Sequence, residues 1–323
     1  MNPRLLILLL VIALLGASIA SLLAGAVALS PGELLQPGLG RIILIELRLP
    51  RLVLAILIGG ILGLSGAVLQ GLLRNPLAEP GLLGVSAGAS LGAVIAIYYG
   101  LALIIPLATP IAGLVGGFIA AALAMWLSRS GGMLALILGG SAVTSIAVAG
   151  VTLALNLAPN PYAAYEIMTW LMGSLADRSW GHVALSAPFI VVGALLLLAT
   201  GQALDALALG EAQAESLGVH VSQTRLIALF GTALGVGAAT AVSGALAFVG
   251  LIAPHVVRPL VGYRPGQALI PAMLAGSILV VVADLATRLV KFDGPPVNLG
   301  VFISLIGSPF FLWLVLHIRK RAI

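Results

Sequence analysis

Residues 48–90, RLPRLVLAILIGGILGLSGAVLQGLLRNPLAEPGLLGVSAGAS, decide the fold. The stretch holds an apolar run at 51–73, a tight NPLAEPG corner, and the start of a second apolar run at 82. About 20 apolar residues suffice to cross a bilayer as a helix. The prolines at 76 and 80 deny a continuous helix through the corner, so the chain turns between the two runs.

Composition extends this reading to the whole chain. Of 323 residues, 61% are hydrophobic and 8% charged, with a mean hydropathy of +1.21. A water-solvated core does not absorb that much apolar surface. Apolar runs fall at about 4–29, 51–73, 82–104, 108–128, 133–157, 182–203, 223–242, 246–260, 267–290 and 298–317. All are expected to be helices, because an open sheet cannot satisfy its backbone in hydrocarbon. The expectation is one all-α membrane domain over residues 1–323, of about ten spans. The first run, with its lone Arg4, competes with a cleaved signal peptide; its length favours a retained span. The run at 246–260 is short and interrupted by Gly250 and Pro254, so it half-crosses or kinks.

The absence of cysteine excludes disulfides, thiolate metal sites and cysteine nucleophiles. The basic residues sit singly between apolar runs rather than on a stripe, which fits membrane topology and not nucleic acid. With the N-terminus and C-terminus in the cytoplasm, Arg4, Arg74, Arg129, Arg225, Arg258, Arg264, Arg319, Lys320 and Arg321 fall inside, and Arg41, Arg48, Arg51, Arg178, Arg288 and Lys291 outside. The positive-inside rule favours this orientation by a small margin. The outside arginines must pair with acidic neighbours such as Glu46, Asp284 and Asp293, or face a soluble acidic partner.

Forty glycines recur, many at four-residue spacing, as in Gly84, Gly88 and Gly92 or Gly231 and Gly235. In lipid, close backbone approach through small residues holds helices together. An internal echo links SGAVLQGLLRNPLAEPGLLG at 65–84 with SGALAFVGLIAPHVVRPLVG at 243–262, and transporters are often built from duplicated halves. The longest polar interruption, about 204–222, is too polar to cross. Within it Gly210 precedes about two helical turns and Gly218 supplies a C-terminal stop. It reads equally as a solvated loop or as a docking helix for a cytoplasmic partner.

Bond-making chemistry finds little support. A phosphate-binding GxxxxGK[ST] loop needs a terminal lysine, and Lys291 and Lys320 lie in no such setting. His182, His220, His255 and His317 are too scattered for a metal-ligand pair at helical spacing. Gly63-Leu64-Ser65-Gly66 spells the GxSG of intramembrane serine proteases, with His255 as the distant base. An ion-gradient transporter would need ionisable residues deep in the membrane, and only Asp284 and Glu166 come close.

Taken in order, RLPR at 48–51, SGAVLQ at 65–70, NPLAEPGLLGVSAGA at 75–89, WLMGSL at 170–175, GEAQAESLG at 210–218, FVGLIAPHVVR at 248–258, DLATR at 284–288 and GSPFFLWLV at 307–315 resemble the BtuC/FecCD-like permeases of ATP-binding-cassette importers for iron-siderophores, haem and cobalamin. The resemblance implies a BtuC-like permease fold working as a homodimer in the inner membrane by alternating access. Two cytoplasmic ATPase subunits would bind ATP and magnesium, a periplasmic binding protein would deliver the chelate, and this chain would carry no cofactor or metal. It also implies roles for individual positions. Arg48, Arg51 and Arg288 would dock the binding protein; Gly210, Glu211, Ala214, Leu217 and Gly218 would couple to the ATPase; Asn75, Pro76, Glu79 and Pro80 would form a structural corner. The pathway wall would come from the fifth, eighth and tenth helices and the short helix near Tyr162 to Met172, with Met168 and Met172 as soft contacts. The family's gate lies before the fifth helix, where this chain departs from the pattern with Ser130, Gly131, Gly132, Met133 and Leu134.

Overall fold

The computed structural model describes residues 2–25, 38–128, 133–290 and 297–322, and among them every regular element is helical. In chain order these are α1 (Pro3–Leu23), α2 (Leu49–Leu72), α3 (Val85–Tyr98), α4 (Ala108–Leu127), α5 (Met133–Asn156), α6 (Pro161–Leu171), α7 (Trp180–Ala199), α8 (Gly201–Leu207), α9 (Glu211–Ser216), α10 (Val221–Ser243), α11 (Val249–Val257), α12 (Pro265–Leu289) and α13 (Leu299–Ala322). All ten apolar runs have become helices. Eight are long and apolar enough to cross a membrane. The other two are short: α3 has 14 residues and α11 has nine, hence rises of about 21 and 14 Å against a hydrocarbon core of about 30 Å.

Buried α2 and α10 form the centre. Around them small residues set the helix spacing. A Cβ on Gly59 would lie 2.3 Å from the Gly276 carbonyl oxygen, and one on Gly63 2.2 Å from that of Ala272, so α2 and α12 touch backbone to backbone. Gly113 and Gly117 of α4 meet Ala241 and Gly237 of α10 in the same antiparallel sense. Association in lipid depends on this close packing because hydrocarbon gives little hydrophobic drive. Helix α1 joins the bundle along α12, with Leu6 clustered against Val261 and Ala268.

A duplication shows in element order: long, short, long, long for α2–α5 and again for α10–α13. Both short helices start from a residue with positive φ, Gly84 at 73° and Phe248 at 66°. The sequence echo has a different register, because Ser65 lies inside α2 while Ser243 ends α10. Ser130, Gly131 and Gly132 lie outside the described residues, as do Lys291 and Asp293; Met133 opens α5 and Leu134 is exposed.

Candidate functional site

At one end of the bundle the three arginines of the docking expectation gather around Asp284. Arg51 donates from Nε to both carboxylate oxygens, at 2.9 and 3.0 Å, and from its terminal nitrogen to Oδ1 at 2.7 Å. Arg288, one turn along α12, reaches Oδ2 at 3.2 Å and also donates to the Ser21 carbonyl at 3.0 Å. Arg48, only 8% exposed, donates to the Leu23 carbonyl at 3.0 Å. These carbonyls belong to the last turn of α1, where unpaired C=O groups attract cations. The cluster therefore ties the end of α1 to the start of α2 and the end of α12. Of the acidic partners considered from sequence that lie among the described residues, Asp284 is engaged and Glu46 is exposed.

The NPLAEPG corner supports the short helix α11. Asn75 Oδ1 accepts from the Leu77 N–H at 2.9 Å, and Pro80 packs against Gly250, whose added Cβ would meet Pro80 Cδ at 2.6 Å. The Phe248 N–H hydrogen-bonds to the Glu79 carboxylate; burial pushes that carboxyl above its ordinary range and the hydrogen bond opposes the rise. Pro76 completes the turn between α2 and the 3-10 segment Pro80–Leu83.

Between α10 and α11 the chain runs without helix from Gly244 to Phe248. Irregular backbone at membrane depth is tolerated where it is buried in protein or lines a polar cavity. Here it lines a cavity of about 600 Å³, with Ala245 and Ala247 on one side, Met172 on another, and Ser304 and Ser308 of α13 on a third. Met172 accepts a hydrogen bond at Sδ from Asn298 at 3.2 Å, while Met168 is exposed on α6. Three chain segments meet at this wall. Ser174 N–H donates to the Ser243 carbonyl at 2.7 Å, and Gly300 N–H to that of Gly173 at 3.2 Å. Gly173 (φ 71°) and Gly244 (φ 72°) adopt the left-handed backbone that such a junction requires. The sequence reading missed the junction, although Gly173 stands in the WLMGSL motif.

A second cavity, about 230 Å³ and more polar, lies at the end that holds the arginine cluster, with Glu166, Trp170, Arg178 and His182 in its wall. Arg178 donates from Nε to the Val242 carbonyl at 2.6 Å. Burial lowers its guanidinium pKa, partly offset by Asp177.

The opposite end carries the polar segment as two short helices, α8 and α9. Gly210 (φ 119°) and Gly218 (φ 85°) bracket α9. Its end is a glycine stop, with Val219 N–H on the Ala214 carbonyl at 3.0 Å and Gly218 N–H on that of Glu215 at 2.9 Å. Ala214 is fully buried beneath α9, whereas Leu217 is 65% exposed. Glu211 approaches Arg225 of α10 at 3.6 Å, and Asp205 Oδ1 accepts from the Gly266 N–H of α12 at 2.8 Å. Asp205 escaped the sequence reading. A signal existed: Arg264-Pro265 opens α12 without a Ser, Thr, Asp or Asn cap.

The protease constellation does not assemble. Ser65 is fully buried and gives its hydroxyl to the Leu62 carbonyl of its own helix at 3.1 Å. His255 stacks edge-on with Phe310 at 5.5 Å. Asp284, one of the two acids an ion-coupled carrier could use, is committed to its arginines. No group of three or more His, Asp or Glu that could hold a metal gathers among the described residues.

Comparisons with known proteins agree with this anatomy. The profile of the FecCD transport family matches residues 8–317. The hemin transport system permease protein HmuU of Yersinia pestis is 36% identical over 99% of this chain and 98% of its own. The Fe(3+) dicitrate transport system permease protein FecD of Escherichia coli is 36% identical over 86% of each chain. Among solved structures, a metal-chelate type ABC transporter in an inward-facing conformation superposes with a TM-score of 0.88 at 31% identity, covering 98% of this chain and 100% of that one.

Proposed function

The chain belongs to the FecCD transport family, and from that premise we propose how its parts divide the work. It is a multi-pass membrane protein and the permease subunit of an ATP-binding-cassette importer for a metal chelate. An iron-siderophore or haem is the cargo we propose, with cobalamin as the alternative. The observation that carries the reading is the broken stretch Gly244–Phe248, whose backbone walls a cavity of about 600 Å³ together with Met172 and α13.

A single chain has one wall of such a path, and the exposed apolar faces of α5 and α13 (Leu138, Ile146, Leu305, Leu312) suit a second copy across it. The α9 end faces the cytoplasm of a cell whose inner membrane holds the protein, and there a separate ATPase subunit grips Leu217 and Glu215. Hydrolysis, with ATP and magnesium, belongs to that subunit. Small Gly210, Ala214 and Gly218 keep the contact close, and Glu211 orients it.

The arginine end receives the chelate from a soluble periplasmic binding protein. Within the cluster, Arg48, Arg51 and Arg288 against the one carboxylate of Asp284 leave two positive charges. Because all three hold internal partners, they act on acidic residues of the binding protein through their field, which governs encounter rate more than affinity.

The test is reconstitution with the cognate ATPase and binding protein in vesicles. Uptake should require ATP, and Leu217→Asp should retain the complex but lose uptake. Full uptake by that variant, or uptake with a hydrolysis-dead ATPase, refutes the reading.

A further inference from the structure

We propose that Asp205 is the positioning residue through which the α8–α9 segment moves α12, by capping that helix from outside it. The inference rests on the permease reading above and adds to it the route by which the segment engages the bundle.

Helix α12 cannot cap itself. Its N-cap, Arg264, makes no side-chain cap bond, and Pro265 has no N–H to offer. The first amide available is that of Gly266, and Asp205 Oδ1 takes it at 2.8 Å. The negative charge also stands at the positive end of the helix dipole. A second contact reinforces the first. A Cβ on Gly266 would fall 2.5 Å from the Gly201 carbonyl oxygen and 2.7 Å from Asp205 Oδ2, so α8 approaches α12 closely enough that its backbone and the Asp205 carboxylate both need a glycine there. Gly201 and Asp205 are four apart and share one face of α8. Leu204, fully buried, fills the adjacent space with Pro265 against Gly71 of α2.

The tether from α9 to this contact is short, because only Ala208, Leu209 and Gly210 separate α8 from α9. On its other side α9 meets α10, through buried Ala214 and the four connecting residues 217–220. Glu211 meets Arg225 at 3.6 Å with its side chain 49% exposed, a geometry worth little. A push on α9 reaches α12 through α8 and the Asp205–Gly266 bond. From Gly266, helix α12 (Pro265–Leu289) then carries it about 27 Å to Asp284 at the arginine end, past the glycine crossing with α2.

The experiment measures chelate taken up per ATP hydrolysed, in vesicles holding the full complex, with co-purification of the ATPase confirming assembly. Asp205→Ala should keep hydrolysis and lower uptake per ATP about fivefold, the factor that one lost cap corresponds to. Asp205→Asn keeps an acceptor oxygen and should restore the ratio. Gly266→Ala, which wedges the contact open and leaves Asp205 intact, should reproduce the loss. An unchanged ratio in Asp205→Ala, or an equal loss in Asp205→Asn, overturns the proposal. Failure of the permease reading would show separately, as wild-type vesicles that take up no chelate with ATP.

Discussion

Replacing Asp284 by alanine should destabilise the protein by about 3 kcal/mol. The carboxylate is 2% exposed and receives three hydrogen bonds from Arg51 and a contact from Arg288. Breaking a fully buried pair costs about 3–5 kcal/mol, since the stranded charge keeps its desolvation penalty. Here Arg51 is 20% exposed and water reaches part of its guanidinium, which selects the low end of that range. Arg51→Ala should cost less, about 2 kcal/mol, because Arg288 still neutralises the carboxylate. In the double variant the shared interaction is lost only once, so the cycle should show a coupling of about 1.5–2 kcal/mol. At about 2–4 °C per kcal/mol for domains approaching this size, Asp284→Ala should melt about 6–12 °C below wild type. The melt can be followed in mild detergent through the fluorescence of the four tryptophans. If Asp284→Ala melts with the wild type, or the two single effects simply add, the cluster is not the bolt between α1, α2 and α12 described above.

Two further outcomes follow from the geometry. Gly276→Val should force α2 and α12 apart, because a Cβ there lies 2.2 Å from the Gly59 carbonyl oxygen; the expected loss is about 3 kcal/mol, while Gly16→Val, with open space around it, should melt like wild type. Glu79 has a raised carboxyl pKa in the folded protein, so its contribution to stability is fully present below the unfolded value and is lost as pH rises through the folded one. Wild type and Glu79→Gln should melt together below the ordinary carboxylate range, with wild type falling progressively below the variant as pH rises above it. Glu79→Ala, which also removes the acceptor for the Phe248 N–H, should melt lowest throughout, and a wild type that gains stability relative to Glu79→Gln with rising pH would contradict the burial argument.

The ten helices were legible because lipid imposes a simple demand, an unbroken apolar run, and each expected run overlaps a helix in the structure. The short helices were the exception. The run at 82–104 reaches past its α-helix at both ends and that at 246–260 at its start, since hydropathy counts Leu82, Leu83 and Ala247 as membrane-compatible whether or not their backbone is α-helical. What breaks these helices is tertiary: the Glu79 carboxylate beneath Phe248, Pro80 against Gly250, and the meeting of Gly173, Gly244 and Gly300. None of these contacts has a periodic trace in sequence. The bracketing glycines of α9 were legible for the opposite reason, because a left-handed stop is a local requirement that only a few residue types meet.

The arginines mark the limit of counting charges by side. Sequence placed Arg48, Arg51 and Arg288 at one end, and could not choose between self-pairing and an external partner. The structure pairs all three internally, and the reason lies in how lipid divides the labour of holding helices. Through the hydrocarbon, α12 is fixed to α2 by bare backbone contact at Gly59 and Gly276 and by one hydrogen bond, from Ser277 Oγ to the Ile56 carbonyl at 2.8 Å. Orientation must then be held at the ends, where water lowers the cost of charge. Asp284 with its arginines secures the C-terminal end of α12, and Asp205 the N-terminal end. A helix clamped by charged groups at both ends, and held between them by close packing with one hydrogen bond to α2, passes a displacement along its axis instead of dissipating it in side-chain rearrangement. That property is what an importer needs of the element joining its power source to its mouth.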